Sequence, residues 1–327
     1  MRVLLALSLQ RPKVQTAPDT VWRGFSLRWA VEGPIVERLP TAGGTALDIT
    51  VFCVVLLAAV FHAAWNALVK SAGDKFFSMT AVVIGHVPFA LIALAVTARP
   101  DPASYPYLIT GALLHVGYQW FLLQAYKLGD FTQVYPIARG TAPILVATIS
   151  VTLLGVTLSF GQIFAIATIG AGILSLCLVR ASDGERNSAA AGMALITACF
   201  IASYSLVDGL GGRASGSPVS FYAWESIINA VIFCGYIAYA KPGLITSIAR
   251  DGVFTGIAGG GASFLAYSLV VWAFTQAPIA LVTALRETSI VFALLIGVFV
   301  MKERLSLAKV ASTFTTVFGA ALLKFAR

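Results

Sequence analysis

Ten apolar runs follow one another almost without interruption from residue 49 to residue 325. Each is close to the roughly 20 residues that an α-helix needs to cross about 30 Å of hydrocarbon. The runs are continuously apolar rather than alternating, which favours helices over the strands of a membrane barrel. Only 11% of the 327 residues are charged, far below a soluble domain. We therefore expect an all-α integral membrane protein with ten spans. The spans are predicted at 49–69, 76–96, 105–125, 131–153, 159–179, 190–208, 219–240, 252–275, 279–301 and 306–325.

Residues 1–47 differ from the rest of the chain, because they hold four prolines, six Lys or Arg residues and no apolar run long enough to span a bilayer. This composition predicts a disordered tail, or a gene start assigned upstream of the true one. The apolar remainder divides at the polar segment 181–189 into two units of five spans, 48–180 and 190–326.

A shift of 147 residues supports an internal repeat, because it aligns Arg139 with Arg286 and Gly172 with Gly319 without a gap. A repeat with an odd number of spans enters the membrane in opposite senses. Inverted-topology repeats of this kind are typical of secondary transporters.

The basic residues lie mostly between the spans and indicate topology. Near the spans, ten Lys or Arg residues fall on one side and four on the side shared by both termini. The positive-inside rule then predicts termini outside the cytoplasm, in a multi-pass protein of the plasma (inner) membrane. The net charge of +8 is explained by anionic lipid rather than by nucleic acid. The expected partners are membrane lipid and a small-molecule substrate, with a monomer or homodimer as the assembly.

Four charged residues lie well inside the predicted spans: Arg139, Glu225, Arg286 and Glu287. An ionisable side chain costs several kcal/mol at mid-membrane unless it is paired or hydrated. One interpretation is a substrate or proton site. The alternative is a structural ion pair between helices, for example Glu225 with either arginine.

The segment around Arg139 has a sequence that weakens a helix, since residues 135–143 (YPIARGTAP) hold two prolines and a glycine. A broken helix at membrane depth is tolerated beside protein or a water-filled cavity, which predicts that this segment lines a cavity; a packing kink is the alternative. With inverted halves, Arg139 and Arg286 lie about 5 Å either side of the midplane. Adjacent helical residues point about 100° apart, so Arg286 and Glu287 are not expected to face one direction.

The remaining candidates are histidines and aromatic residues within the spans. The three histidines lack the i, i+4 spacing of a helical metal site, so no metal is expected and one of them is a candidate for proton coupling. Aromatic side chains in the spans can line a cavity or anchor at the interface. The candidate substrate-binding residues are Arg139, Arg286, Glu287, Tyr135, Trp65 and Tyr204. The candidates for proton coupling or a structural ion pair are Glu225 and His62.

No enzyme signature occurs in the chain: GxSxG, HExxH and the Walker A sequence are all missing. We therefore predict no catalytic residues and no enzyme. An integral membrane enzyme acting on lipid-linked substrates would need acids or histidines clustered near one interface, and the sequence shows none.

Four short segments resemble the EamA-type proteins of the drug/metabolite transporter superfamily. They are 61–70 (FHAAWNALVK), 135–140 (YPIARG), 284–289 (ALRETS) and 301–305 (MKERL). The resemblance covers about 49–325. It implies ten helices in two inverted repeats around a central cavity, alternating access and no prosthetic group or other cofactor. Members of the family move amino acids and other small metabolites, often outward, and relatives carry sugar phosphates, nucleotide sugars and drugs.

The function expected from these observations is efflux of small polar or zwitterionic metabolites by a secondary transporter. Mixed charge at the midplane suits a zwitterion, with an arginine for a carboxylate and a glutamate for an ammonium group or a proton. The alternatives within the same fold are a drug transporter and an organic-phosphate carrier with Arg139 and Arg286 as a two-pronged clamp. The orientation of Glu287 towards the same cavity would separate the zwitterion from the phosphate.

Overall fold

A computed structural model describes residues 47–71, 74–129, 131–178, 187–300, 302 and 307–326. These residues form helices joined by short connections, with no strand among them. The predicted tail up to residue 46 and most of the polar central loop lie outside the described residues. Leu47, assigned to the tail, is buried in the core, and its carbonyl oxygen accepts a hydrogen bond from Lys324 Nζ at 2.6 Å.

The helices follow the predicted apolar runs along the chain. They are α1 (Ile49–Ser71), α2 (Lys75–Val96), α3 (Tyr105–Leu128), α4 (Phe131–Thr152), α5 (Phe160–Leu174), α6 (Ser188–Ser215), α7 (Pro218–Ala240), α8 (Leu244–Asp251), α9 (Gly261–Gln276), α10 (Ile279–Arg286), α11 (Ser289–Phe299) and α12 (Leu307–Phe325). A π-helical turn, Thr255–Gly260, leads directly into α9.

Seven stretches among the described residues are long and apolar enough to cross a membrane. They are Ile49–Val69, Lys75–Val96, Gln133–Thr152, Ser188–Ser215, Pro218–Ala240, Thr255–Gln276 and Ile279–Phe299. These seven confirm a polytopic membrane protein, while the number of ten spans stays a prediction. Helix α3 is long but carries a histidine, two glutamines and four tyrosines, and α12 carries two lysines and four threonine or serine residues.

Side chains at the helix starts satisfy the free amides of the first turn. Asp74 accepts from the amides of Phe76 and Phe77 at the start of α2. Ser159 and Gln162 form a reciprocal capping box at α5. At α1, the backbone amide of Thr50 holds the pKa of Asp48 below its usual value by donating to the carboxylate.

The packing of the helices has a two-fold pattern that supports the predicted repeat. Helix α3 packs against α6, and its counterpart in the second half, α9, packs against α1. Likewise α4 packs against α6, while α10 and α11 pack against α1. Two further contacts, α2 with α7 and α5 with α12, join counterparts to each other. Exchange of the two halves therefore maps each of these interfaces onto another of them.

Apolar side chains lie both in the core and on the outside, as expected for a protein surrounded by lipid. Phe221, Phe233 and Phe274 are fully buried between helices. Phe254 and Phe299 are 75% and 77% exposed. Large apolar side chains exposed over so much of the surface are favourable only in a hydrocarbon environment.

The predicted break in the span around Arg139 is wrong. Helix α4 runs without interruption through both Pro136 and Pro143. The break lies instead in the counterpart span of the second half, where α10 ends at Arg286 and a turn at Glu287 and Thr288 precedes α11.

The predicted end of the sixth span at residue 208 is also wrong, because α6 continues to Ser215 and ends at Gly216 with a φ of 63°. The glycines that follow Asp208 suggest a helix end, yet they serve close packing. A Cβ on Gly211 would lie 2.4 Å from the Phe221 ring. The extra two turns place Asp208 inside the bundle, where it is fully buried.

The glycines at 252, 256 and 260 bring the π turn against α2. A Cβ on Gly85 of α2 would lie 1.8 Å from the carbonyl oxygen of Gly256, so the two backbones touch at this point. Small residues at such crossings allow the van der Waals contact that holds helices together in lipid.

We expect Gly85→Ala to lower the thermal stability of the detergent-purified protein, because the added methyl group has no space beside Gly256. Overpacking of this kind costs about 1–3 kcal/mol. The matched control is Gly235→Ala in α7, where nothing lies within 4 Å of the added methyl group. Equal unfolding temperatures for the two variants would contradict the contact.

Candidate functional site

Three of the predicted residues meet in one buried ion-pair triad. Glu287 Oε2 lies 3.0 Å from Arg139 Nε, and its other oxygen, Oε1, lies 3.8 Å from Arg286 Nε. All three residues are at most 5% exposed. A buried charge is tolerated only with a partner, and here one carboxylate serves two guanidinium groups.

A tightened turn lies at the point where these side chains meet, because the amides of Glu287 and Thr288 donate to Ala284 and Leu285, three residues before each. Arg286 is the last residue of α10, and Glu287 lies in the turn that follows. The expectation that Arg286 and Glu287 would face different directions assumed a continuous helix. In the tightened turn Glu287 contacts both Arg286 and Arg139 on α4.

A cleft lies next to the triad and opens at one end of the bundle. Its empty volume is about 620 Å³, including open space at its mouth. The predicted residues on its wall are His62, Trp65, Tyr135 and Arg139. Arg286 and Glu287 are not among the lining residues, so they reach the cleft only through Arg139.

The wall contributed by α1 is held in shape by local hydrogen bonds. Trp65 Nε1 donates to His62 Nδ1 at 3.3 Å, and the two rings meet edge to face. Asn66 Nδ2 donates to the His62 carbonyl oxygen at 2.7 Å. His62 thus orients the indole of Trp65 beside the cleft.

Tyr204 is not on the wall of the cleft but lies one layer deeper. Its ring stacks on His115 with centroids 4.1 Å apart. Its edge meets the ring of Tyr118, a residue that lines the cleft. Tyr204 therefore connects the cleft to a second polar cluster.

That second polar cluster contains Glu225, Asp208 and His115. His115 Nε2 lies 3.0 Å from Asp208 Oδ2 and 3.5 Å from Glu225 Oε1. Tyr267 OH donates to Asp208 Oδ2 at 2.6 Å. Within the described part of the chain Glu225 forms no ion pair with either arginine, so the predicted Glu225–arginine pair is not observed.

Asp208 was not among the predicted site residues, because the predicted sixth span ended at that position. The signal that could have found it is the mostly apolar run from residue 189 to residue 212, which continues past a single acidic residue. His115 was recognised only as one of three separate histidines, since its partners lie 93 and 110 positions away in the sequence.

This cluster brings three potential ligand atoms within 4.8 Å of one another. Asp208 Oδ2, however, already accepts from the Tyr267 hydroxyl and contacts the His115 ring. We therefore interpret the set as a hydrogen-bonded cluster rather than a metal centre.

The mouth of the cleft is basic. Lys75 lines both the cleft and a neighbouring groove that also contains Lys127 and Lys241. The ammonium groups of Lys127 and Lys241 lie 4.6 and 3.9 Å from the centre of the Phe76 ring. Cations gathered at an opening attract anions towards it.

A membrane-embedded two-repeat helical bundle with a buried charged cleft is the architecture of a small-molecule transporter. The sequence model of the EamA-like transporter family matches residues 49–178 and 189–325, which is most of the chain. The protein therefore belongs to the EamA-like transporter family, as the sequence resemblance predicted.

Comparison with solved structures agrees with this fold. A chain described as "Crystal structure of protein" is 20% identical and superposes with a TM-score of 0.63. The match covers 83% of this chain and 97% of the other. No curated protein matches the sequence.

We expect Glu287→Gln to destabilise the protein by about 3–5 kcal/mol, because two buried guanidinium groups lose their shared carboxylate. The measurement is thermal unfolding in detergent. The double variant Arg139→Gln, Glu287→Gln should recover part of this loss, since it leaves one unpaired charge instead of two. A double variant less stable than Glu287→Gln would show that the ion pair does not carry the effect.

Proposed function

We propose that this transporter exports small metabolites that carry both a carboxylate and an ammonium group, amino acids among them, by alternating access. The observation that carries the proposal is Arg139 on the wall of the cleft. Its Nη2 is buried and donates to none of the described residues, while its Nε faces Glu287. A held guanidinium group with a free N–H suits a substrate carboxylate.

The ammonium group of such a substrate has aromatic partners in the same cleft. Trp65, Tyr118, Tyr126 and Tyr135 all line it, and cations bind the faces of such rings. Glu287 adds a negative charge close by, although it contacts Arg139 rather than the cleft wall. These groups extend the predicted substrate site to the aromatic wall, with Tyr204 behind it.

An organic phosphate is the second candidate, because the lysines at the mouth attract any anion. Its predicted two-pronged clamp needs both arginines at the cleft. Arg286 does not line the cleft and faces Glu287 instead. The triad carries one net positive charge, which matches a single carboxylate better than a doubly charged phosphate.

Export is supported by the position of the opening. The cleft opens where α1 ends and α2 begins, beside Lys75, on the side that the Lys and Arg distribution assigns to the cytoplasm. A conformation open to the cytoplasm is the one that loads a substrate for efflux. Ten spans, inverted repeats, location in the inner membrane and a monomeric or dimeric assembly complete this proposal.

The test is a thermal-shift screen of the detergent-purified protein with zwitterionic amino acids, organic phosphates and cationic drugs. A ligand at about 100 times its Kd stabilises the native state by about 2.7 kcal/mol. We expect stabilisation by zwitterionic amino acids, and its loss in Arg139→Gln. The matched control is Arg250→Gln, since Arg250 is exposed, pairs with Asp251 and does not line the cleft.

Each outcome of the screen separates the candidates. Stabilisation by organic phosphates alone would replace the zwitterion with the phosphate carrier. Stabilisation that survives in Arg139→Gln would move the substrate site away from the cleft. No response to any class, together with no counterflow of a radiolabelled amino acid in proteoliposomes, would contradict the proposal.

A further inference from the structure

The cluster formed by His115, Asp208 and Glu225 joins three helices deep in the bundle, and a fourth helix contributes Tyr267. His115 comes from α3, Asp208 from α6 and Glu225 from α7. Both carboxylate residues are fully buried. The substrate proposal does not use this cluster, although two buried acids at membrane depth are costly to keep.

The two carboxyl groups converge on one point of α3. A Cβ on Gly111 would lie 2.3 Å from Glu225 Oε1 and 2.6 Å from Asp208 Oδ1. Glycine is therefore the residue that lets both acids approach this helix. The two carboxyl groups therefore lie close to each other beside Gly111.

Two buried carboxyl groups this close to each other are costly to keep ionised at the same time. No N–H or O–H group of the described residues donates to Asp208 Oδ1 or to either oxygen of Glu225. Two ionised carboxylates repel each other when they lie this close together. One proton bound by the pair removes this repulsion and supplies a donor to oxygens that otherwise have none.

The charge balance of the surroundings gives the same result. Even with His115 protonated, the two carboxylates carry one negative charge more than the basic group that contacts them. Arg286 does not supply it, because its guanidinium group lies 5.8 Å from the centre of the Tyr267 ring and faces Glu287. The titratable groups that face the cluster from the packed helices are His86, Tyr204, Tyr222, Tyr267 and Arg286.

The cluster contacts the substrate cleft through two aromatic side chains. Tyr204 lies between the ring of His115 and the cleft residue Tyr118. Tyr267 donates to Asp208 while its ring faces Arg286 of the triad. A change in the charge of Asp208 or Glu225 therefore alters the electrostatic potential at the triad, which Tyr267 connects to the cluster.

We propose that Glu225 and Asp208, with His115 as their partner, form the binding site of a coupling proton that enters as the substrate leaves. One proton binds the carboxyl pair from the outside and is released to the cytoplasm, while one substrate moves outward. The inference rests on the proposed transport function, and it deepens that function by naming the coupling ion and its site.

The first experiment measures the proton itself and needs no substrate. Infrared difference spectra of the detergent-purified protein, recorded as pH rises, should show the carbonyl band of one protonated carboxylic acid disappear. We expect this band to be absent in Glu225→Gln and shifted in Asp208→Asn and in His115→Gln. The control Asp251→Asn changes an exposed carboxylate and should leave the band as in the parent protein.

The second experiment uses proteoliposomes with an imposed pH gradient and a radiolabelled zwitterionic amino acid. The parent protein should accumulate the amino acid against its gradient, and Glu225→Gln should fall to the level of empty liposomes. A parent protein without counterflow but with the titrating band would contradict the transport proposal while leaving the proton site intact.

Two results would overturn the proton site. One is a carboxylic acid band that persists unchanged in both Glu225→Gln and Asp208→Asn. The other is calorimetric binding of Zn²⁺ or Mn²⁺ that is lost in Glu225→Gln, with transport abolished by a chelator, since the three residues would then hold a metal. A variant that fails to purify as a monodisperse species is replaced by His115→Gln, where a shifted band supports the site and an unchanged band contradicts it.

Discussion

The bundle depends on the ability of Glu287 to neutralise two buried arginines at once. In a medium of low dielectric constant, an unpaired guanidinium group is expensive, and two adjacent ones repel. The carboxylate between Arg139 and Arg286 offsets both problems with one side chain. It also leaves a net positive charge beside the cleft, so the same interaction affects both the folded bundle and the charge of the cleft wall.

The two halves of the repeat differ in the span that carries the buried arginine. Arg139 and Arg286 occupy equivalent positions in the repeat, yet α4 is continuous and its counterpart is interrupted after Arg286. At the interruption Glu287 keeps helical backbone angles, with φ −68° and ψ −10°, but its amide donates to the carbonyl oxygen of Ala284, so the helix is locally tightened. The two equivalent cations also differ in their surroundings, since Arg139 lies on the cleft wall and Arg286 does not.

Sequence patterns identified the charged residues inside the bundle more reliably than they identified which of these residues contact each other. The interior charges at Arg139, Arg286 and Glu287 stood out because they interrupt apolar runs, and the structure brings them together. Glu225 stood out for the same reason, but its partners are an acid and a histidine rather than an arginine. The prolines led to the wrong prediction of a helix break around Arg139. A helix surrounded by other helices tolerates a missing amide, as α4 does at Pro136 and Pro143.

The sequence by itself determined the membrane environment, the helical class, the family and the positions at which charge enters the bilayer. These follow from the cost of exposing polar groups to hydrocarbon, which acts on every residue locally. The tertiary structure decided where a helix is interrupted and which carboxylate contacts which basic side chain. It also decided that Asp208 lies beside His115 and Glu225 at Gly111. Such pairings join helices that are far apart in the sequence. Whether a helix continues through a glycine or a proline depends on the helices that pack against it.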